Sequence, residues 1–172
     1  MKEVVIVSGA RTPIGRFGGA FKDMLGSKLG AEAIRAAVER SGLPAAAIDD
    51  VIMGNVLQAA ETGYAGRRAM LAAGLPDSIP AMAINRACSS GLEAINYAAH
   101  AIMTGEADIV VAGGIESMSN APYLMPHRAR FDGFRMGDSQ ITDSLTMGLS
   151  CPIYDYHMGV TAENVAERYE VS

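Results

Sequence analysis

The sequence has no tryptophan, only 6% aromatic residues, and two cysteines in 172 residues. Two cysteines, Cys88 and Cys151, are too few for a disulfide framework and fit a reducing, cytoplasmic setting. Basic residues are in the minority, with 14 Lys and Arg against 19 Asp and Glu and a net charge of −5. A dedicated nucleic-acid binder normally carries a basic excess, so no nucleic-acid partner is expected. The mixed run HRARFDGFR at 127–135 reads as solvated surface or an oligomer contact. No apolar run approaches the ~20 residues of a bilayer span. The opening MKEVVIVSGARTP reaches Arg11 and Pro13 before a secretory core develops. Neither a membrane partner nor a leader is expected. The glycine-rich stretch 9–21 lacks both Walker-loop and G-x-G-x-x-G spacing, so it reads as a turn-rich connection.

What remains is an apolar chain rich in small residues, 49% hydrophobic with 19 Gly and 11 Met. Small residues let helices and strands approach closely, and Met fills irregular gaps. Residues 4–7 form a β-branched run that predicts a first strand. Residues 27–40 predict a helix capped by Ser27 and stopped at Gly42 and Pro44. Strands are expected at 51–57, 81–85 and 109–112, and helices at 66–73 and 89–104. On the last helix Leu92, Ile95, Ala99 and Ile102 form one stripe, and Gly105 ends it. The order β-α-β-α-β-α-β predicts an α/β fold, with a mainly parallel sheet covered by helices. Residues 115–157 lose this periodicity and are too long for an ordinary connection. They read as an excursion that becomes helical again from Thr161.

Cys88 lies between the strand AMAIN and the helix SSGLEAINYAAHAIM. Free amides and the macrodipole at a helix start favour negative charge, and a thiolate is the nucleophilic form of cysteine. Ser89, Ser90 and Gly91 are small enough to let a ligand reach the sulfur, and the same amides suit an oxyanion. A buried structural cysteine is the other reading, and position alone leaves both open.

The run Ile84 to Ile95, INRACSSGLEAI, resembles the acyl-enzyme signature of the thiolase family. AGGIESMS at 112–119, YHMGVTAEN at 156–164 and GARTP at 9–13 resemble further landmarks of that family, in the right order. The resemblance implies a thiolase-like layered α/β fold. Residues 1–117 would form the N-terminal core, with a mixed, mainly parallel sheet and helices on both faces. Residues 118–172 would begin a loop and CoA-binding excursion. YHMG and GGIESMSNAPYLMP are closer to the short-chain, biosynthetic members, whereas the Ser after Cys88 leans toward degradative 3-ketoacyl-CoA thiolases. The implied reaction is reversible acetyl transfer between acetyl-CoA molecules, giving acetoacetyl-CoA and CoA through an acyl-Cys88 intermediate. The resemblance places Leu149, His157 and Met158 along the pantetheine arm and gives the Cys88 N–H an oxyanion-hole role. It implies a homodimer or tetramer, pairing near residues 81–85, and no cofactor or metal beyond the CoA thioesters.

Part of the family pattern is missing. Thiolase subunits are more than twice this long. Their second half supplies a His in a G-H-P context and a second Cys in C-x-G-x-G. Neither motif occurs here, and Cys151 in LSCPIY is not that cysteine. His100 lies 12 residues along the helix from Cys88, ~18 Å at 1.5 Å per residue, too far to serve as its base. His127 reads as a loop residue. The chain is therefore expected to be an incomplete thiolase, inactive alone, with a separate C-terminal half as a possible partner. Ketoacyl or hydroxymethylglutaryl-CoA synthases share the helix-start Cys but match GGIESMS and YHMG less well. A non-catalytic, self-associating thiolase-fold module is the alternative of a different class.

Overall fold

The computed structural model describes residues 2–59, 61 and 63–172. They form two compact units, Met1–Asn120 and Ala121–Ser172. The first unit is built on α1 (Gly26–Ser41), β1 (Asp50–Gly54), α2 (Ala65–Ala72), β2 (Ala81–Ile84), α3 (Ser90–Thr104) and β3 (Val110–Gly114). The second holds the two-residue strands β4 (Tyr123–Leu124) and β5 (Thr142–Asp143), then α4 (Ser144–Gly148) and α5 (Met158–Tyr169).

The three strands of the first unit pair in parallel in the order β2-β1-β3. Val51 lies opposite Ala81 on one side and Val111 on the other. Parallel neighbours need crossovers, and α2 and α3 supply them. Strand β1 is central and buried on both faces, which is why its sequence VIM shows no polar alternation. Val51 and Met53 join Ala31 and Ile34 of α1 and Ala65, Ala69 and Met70 of α2 in one core cluster. Ile52, 2% exposed, points to the opposite face, toward α3. Helices thus cover both faces of the sheet.

Three expectations need correction. Residues 4–7 form no strand. The residues that follow are tied to α1, where the Ser8 hydroxyl donates to Ala37 O and Arg40 donates to Gly9 O. Val5, Ile6 and Val7 are 61–83% exposed. No other strand among the described residues offers this run a ladder, and β-branched composition without a partner does not make a strand.

Ser27 does not cap α1. Leu25 is the N-cap, without a side-chain bond, and Ser27 sits inside the first turn. Its N–H is taken up by the buried Glu61 carboxylate at 2.9 Å, so a distant acid does the capping. The third correction concerns α3. Its buried positions are Ser90, Ala94 and Ala98, whereas Leu92 and Ile95 of the large stripe are 64% and 41% exposed. Small residues face the sheet because the strands beneath are themselves glycine-rich and the backbones nearly touch.

The sheet entrance is pinned by Asp49, whose Oδ2 accepts from Asp108 N (2.7 Å) and Ile109 N (2.9 Å). The Asp108 amide, then the Ile109 amide, hold the Asp49 carboxyl below its ordinary value. A depressed folded-state pKa adds stability above the unfolded value, and that stability is lost as pH falls through the folded one. Burial pushes the neighbouring Asp50 carboxyl the other way, but Asp50 is common to wild type and variant. Asp49→Asn is therefore expected to lower the urea midpoint at pH 7. The gap from wild type should close below about pH 4, read by urea titrations at several pH values.

Candidate active site

The chain leaves β2 at Ile84, turns through Asn85 to Ser89, and enters α3 at Ser90. The turn is sharp because Ala87 adopts φ +49°, the left-handed region. For a residue with a Cβ this costs about 1–2 kcal/mol, so neighbours must hold it. Asn85 Oδ1 accepts from Ala87 N at 2.9 Å. The buried Ser90 hydroxyl accepts from Arg86 N at 2.8 Å and donates to Ala87 O at 2.6 Å. Arg86 also pairs with Glu93 in the first turn of α3. The braced elbow presents Cys88 to solvent at the start of a 15-residue helix.

Three glycines seat this helix start. A Cβ on Gly54, at the end of β1, would lie 2.4 Å from Ser90 C and 2.5 Å from Gly91 N. A Cβ on Gly114, at the end of β3, would lie 3.3 Å from the Gly91 Cα. The α3 backbone therefore rests directly on the carboxyl ends of two strands. Ligands of open α/β sheets bind at that end. The elbow can offer the Cys88 sulfur to an electrophilic carbonyl. The Ser89 and Ser90 amides donate within the turn, to Arg86 O and Ala87 O, so an oxyanion would fall to the Cys88 N–H.

The other three expected site residues lie in the second unit, where the backbone brings them together. Leu149 follows α4, and Leu149 O accepts from Met158 N at 2.8 Å. Ser150 and His157 form an antiparallel bridge in the same place. His157 is the N-cap of α5: its Nδ1 accepts from Gly159 N at 2.9 Å, which leaves the proton of a neutral ring on Nε2. Leu149 is half-buried, and His157 and Met158 are exposed. Cys151 sits in the intervening loop, where its N–H donates to Tyr156 O. His100 lies on α3 itself and His127 in a short 3-10 turn of the second unit. Among the described residues no group of three or more His, Cys, Asp or Glu is arranged to hold a metal ion, and no helix is long and apolar enough to cross a membrane.

Composition and spacing give Ser90 only its small size, and give Asn85 and Gly54 no role at the elbow. A glycine followed by Asn55 at the end of a buried strand was the available signal, since glycine there marks close backbone approach.

A three-stranded parallel layer with a cysteine elbow on its carboxyl edge is the N-terminal half of the thiolase fold. The thiolase N-terminal domain family matches residues 4–172, and the chain belongs to that family. The acetyl-CoA acetyltransferase of Cupriavidus necator is 49% identical over all of this chain and 44% of its own length. That of Escherichia coli K12 is 46% identical over the same shares. The solved structure of the Bacillus anthracis acetyl-CoA acetyltransferase superposes with a TM-score of 0.89 at 40% identity, covering 98% of this chain and 42% of that one. The chain spans less than half the length of the relatives it matches.

Proposed function

We propose that this chain carries the acyl-accepting part of an acetyl-CoA C-acetyltransferase. The observation that carries the reading is the braced elbow that exposes Cys88 at the start of α3, within a chain of the thiolase family. The Cys88 thiolate attacks the thioester carbon of acetyl-CoA, and the Cys88 N–H receives the oxyanion. Collapse expels CoA as its thiolate, which takes up a proton, and leaves acetyl-Cys88. An enolate carbon from a second acetyl-CoA then attacks the acetyl group, forming acetoacetyl-CoA and releasing the Cys88 thiolate. Acetyl rather than a longer acyl group is favoured by the names of the relatives and by YHMG. Ser89 after the nucleophile keeps the broader 3-ketoacyl-CoA specificity as the second reading.

Residues 1–117 act as the core and 118–172 as the beginning of the CoA-binding excursion, in which Leu149, His157 and Met158 line the pantetheine arm. The reaction needs no cofactor or metal beyond the CoA thioesters. The protein works in the cytoplasm as a homodimer or tetramer. Strand β2 supports the pairing because it is an edge of its sheet, with Met82 43% exposed. An unpaired edge recruits another strand. A non-catalytic module would use the same edge but would leave Cys88 inert.

Limited iodoacetamide followed by peptide mapping separates these readings. Cys88 is expected to alkylate about tenfold faster than Cys151, as thiols at helix starts do relative to loop thiols. Prior incubation with acetyl-CoA should protect Cys88 alone. Equal rates for the two thiols would overturn the nucleophile reading.

A further inference from the structure

Glu116, just past β3, lies outside the elbow yet is wired to it. Its carboxylate accepts from Val56 N at 2.9 Å, from Leu57 N at 3.3 Å and from Asn55 Nδ2 at 2.9 Å. These donors belong to the loop that follows β1. Val56 in turn accepts, through its carbonyl oxygen, from Asn85 Nδ2 at 3.3 Å. The carboxamide of Asn85 is thereby oriented with its Oδ1 toward Ala87 N, a bond that holds Ala87 at φ +49° together with the Ser90 hydroxyl on Ala87 O.

We infer that Glu116 and Asn85 are positioning residues for Cys88. Glu116 fixes the loop at 55–57, the loop fixes the Asn85 amide, and Asn85 holds the left-handed residue that aims the thiol. The inference rests on the reading of Cys88 as the acyl-accepting thiol. Three features of the geometry carry it. A carboxylate that accepts several N–H groups is a strong, fixed anchor. An amide with both ends bonded cannot rotate to swap its oxygen and nitrogen. A left-handed alanine needs such a partner, because nothing intrinsic to it favours that conformation. A glycine at position 87 would not need it.

That last point supplies the test. The rate of Cys88 alkylation by iodoacetamide is measured at fixed pH in the full chain, with Cys151 as internal reference and circular dichroism to report folding. Asn85→Ala is expected to slow Cys88 about tenfold, the population change that a freed left-handed residue implies. Asn85→Asp keeps the acceptor for Ala87 N and should slow it less. Glu116→Gln, which retains one acceptor oxygen and no charge, should fall between wild type and Asn85→Ala. Adding Ala87→Gly to Asn85→Ala should restore the rate to within about twofold, because glycine adopts the turn unaided. A merely structural role for Asn85 would not be rescued by a change at position 87. Should Asn85→Ala, still folded, leave Cys88 at the wild-type rate, or should Ala87→Gly fail to restore it, the inference is overturned. A slow Cys88 in the wild type would instead count against the acyl-accepting reading and is distinguishable, because it precedes any substitution.

Discussion

Gly54→Ala is expected to lose about 3 kcal/mol of stability and to slow Cys88 alkylation, whereas Gly91→Ala in the facing helix should be tolerated. In the fold the two positions face each other, each a glycine beside the elbow. They differ in what a methyl group would meet. At Gly54 the new Cβ lies within 2.4–2.6 Å of Ser90 C, Gly91 N and Ser90 O, all main-chain atoms. Backbone on both sides cannot rotate away, so either β1 or the start of α3 must move. At Gly91 the nearest atoms are 3.7–4.0 Å away, ordinary contact. Alanine there also recovers the helix propensity that glycine lacks. Gly105→Ala gives a third case: open space around the Cβ but φ +83°, so a cost of about 1 kcal/mol from backbone strain alone. Urea midpoints rank the three variants. Gly54→Ala should fall furthest, and only Gly54→Ala should change the Cys88 rate, because only there does the first turn of α3 shift. Equal midpoints for Gly54→Ala and Gly91→Ala would mean that the strand end and the helix are not seated on each other.

The elements of the first unit were legible where periodicity, caps and stops agreed. Gly42 and Gly105 end α1 and α3 in the left-handed conformation, as glycine at a C-cap should. The helices and the strands at Asp50, Ala81 and Val110 fall within a few residues of their expected bounds. The misreadings have one physical cause: a sequence window shows what a segment could bury, not what is near enough to bury it. Residues 4–7 have strand composition but no ladder. The stripe Leu92 and Ile95 has core composition, yet glycines at 54 and 114 draw the small face of α3 inward and leave the large one out. Ser27 has cap chemistry, but the carboxylate that serves the helix start arrives from Glu61, 34 residues away.

The site divides along the same line. The placement of Cys88 at a helix start was legible because the strand, turn and helix that flank it fall in one window. The pairing of Leu149 with Met158 through the backbone was not, since it depends on a local ladder that no period announces. The clasp from Glu116 through Val56 to Asn85 spans three separate loops at the carboxyl edge of the sheet. Only the parallel order β2-β1-β3 brings those loops together.

On the proposed reading, the purified 172-residue chain should become acetylated on Cys88 by acetyl-CoA yet sustain no thiolysis of acetoacetyl-CoA. The two steps ask for different groups. Acyl transfer to Cys88 needs the thiol's anion, an N–H for the oxyanion and a leaving thiol, and the elbow exposes the Cys88 thiol at the start of α3. Carbon–carbon chemistry also needs a base for the α-carbon, a contribution of about 10²–10⁴ in rate. The thiolase motifs that hold such a base, G-H-P and C-x-G-x-G, do not occur in these residues. His100 is carried along α3 away from the elbow, and the Nδ1 of His157 is engaged by Gly159 N. Intact-mass spectrometry should therefore find one acetyl group per chain, lost in the Cys88→Ala variant. A coupled assay should show turnover at least about 10³-fold below the 1–10³ s⁻¹ common among enzymes. Steady turnover within that range would show that a base within this chain reaches the acyl group, and His157 would then be the first residue to replace.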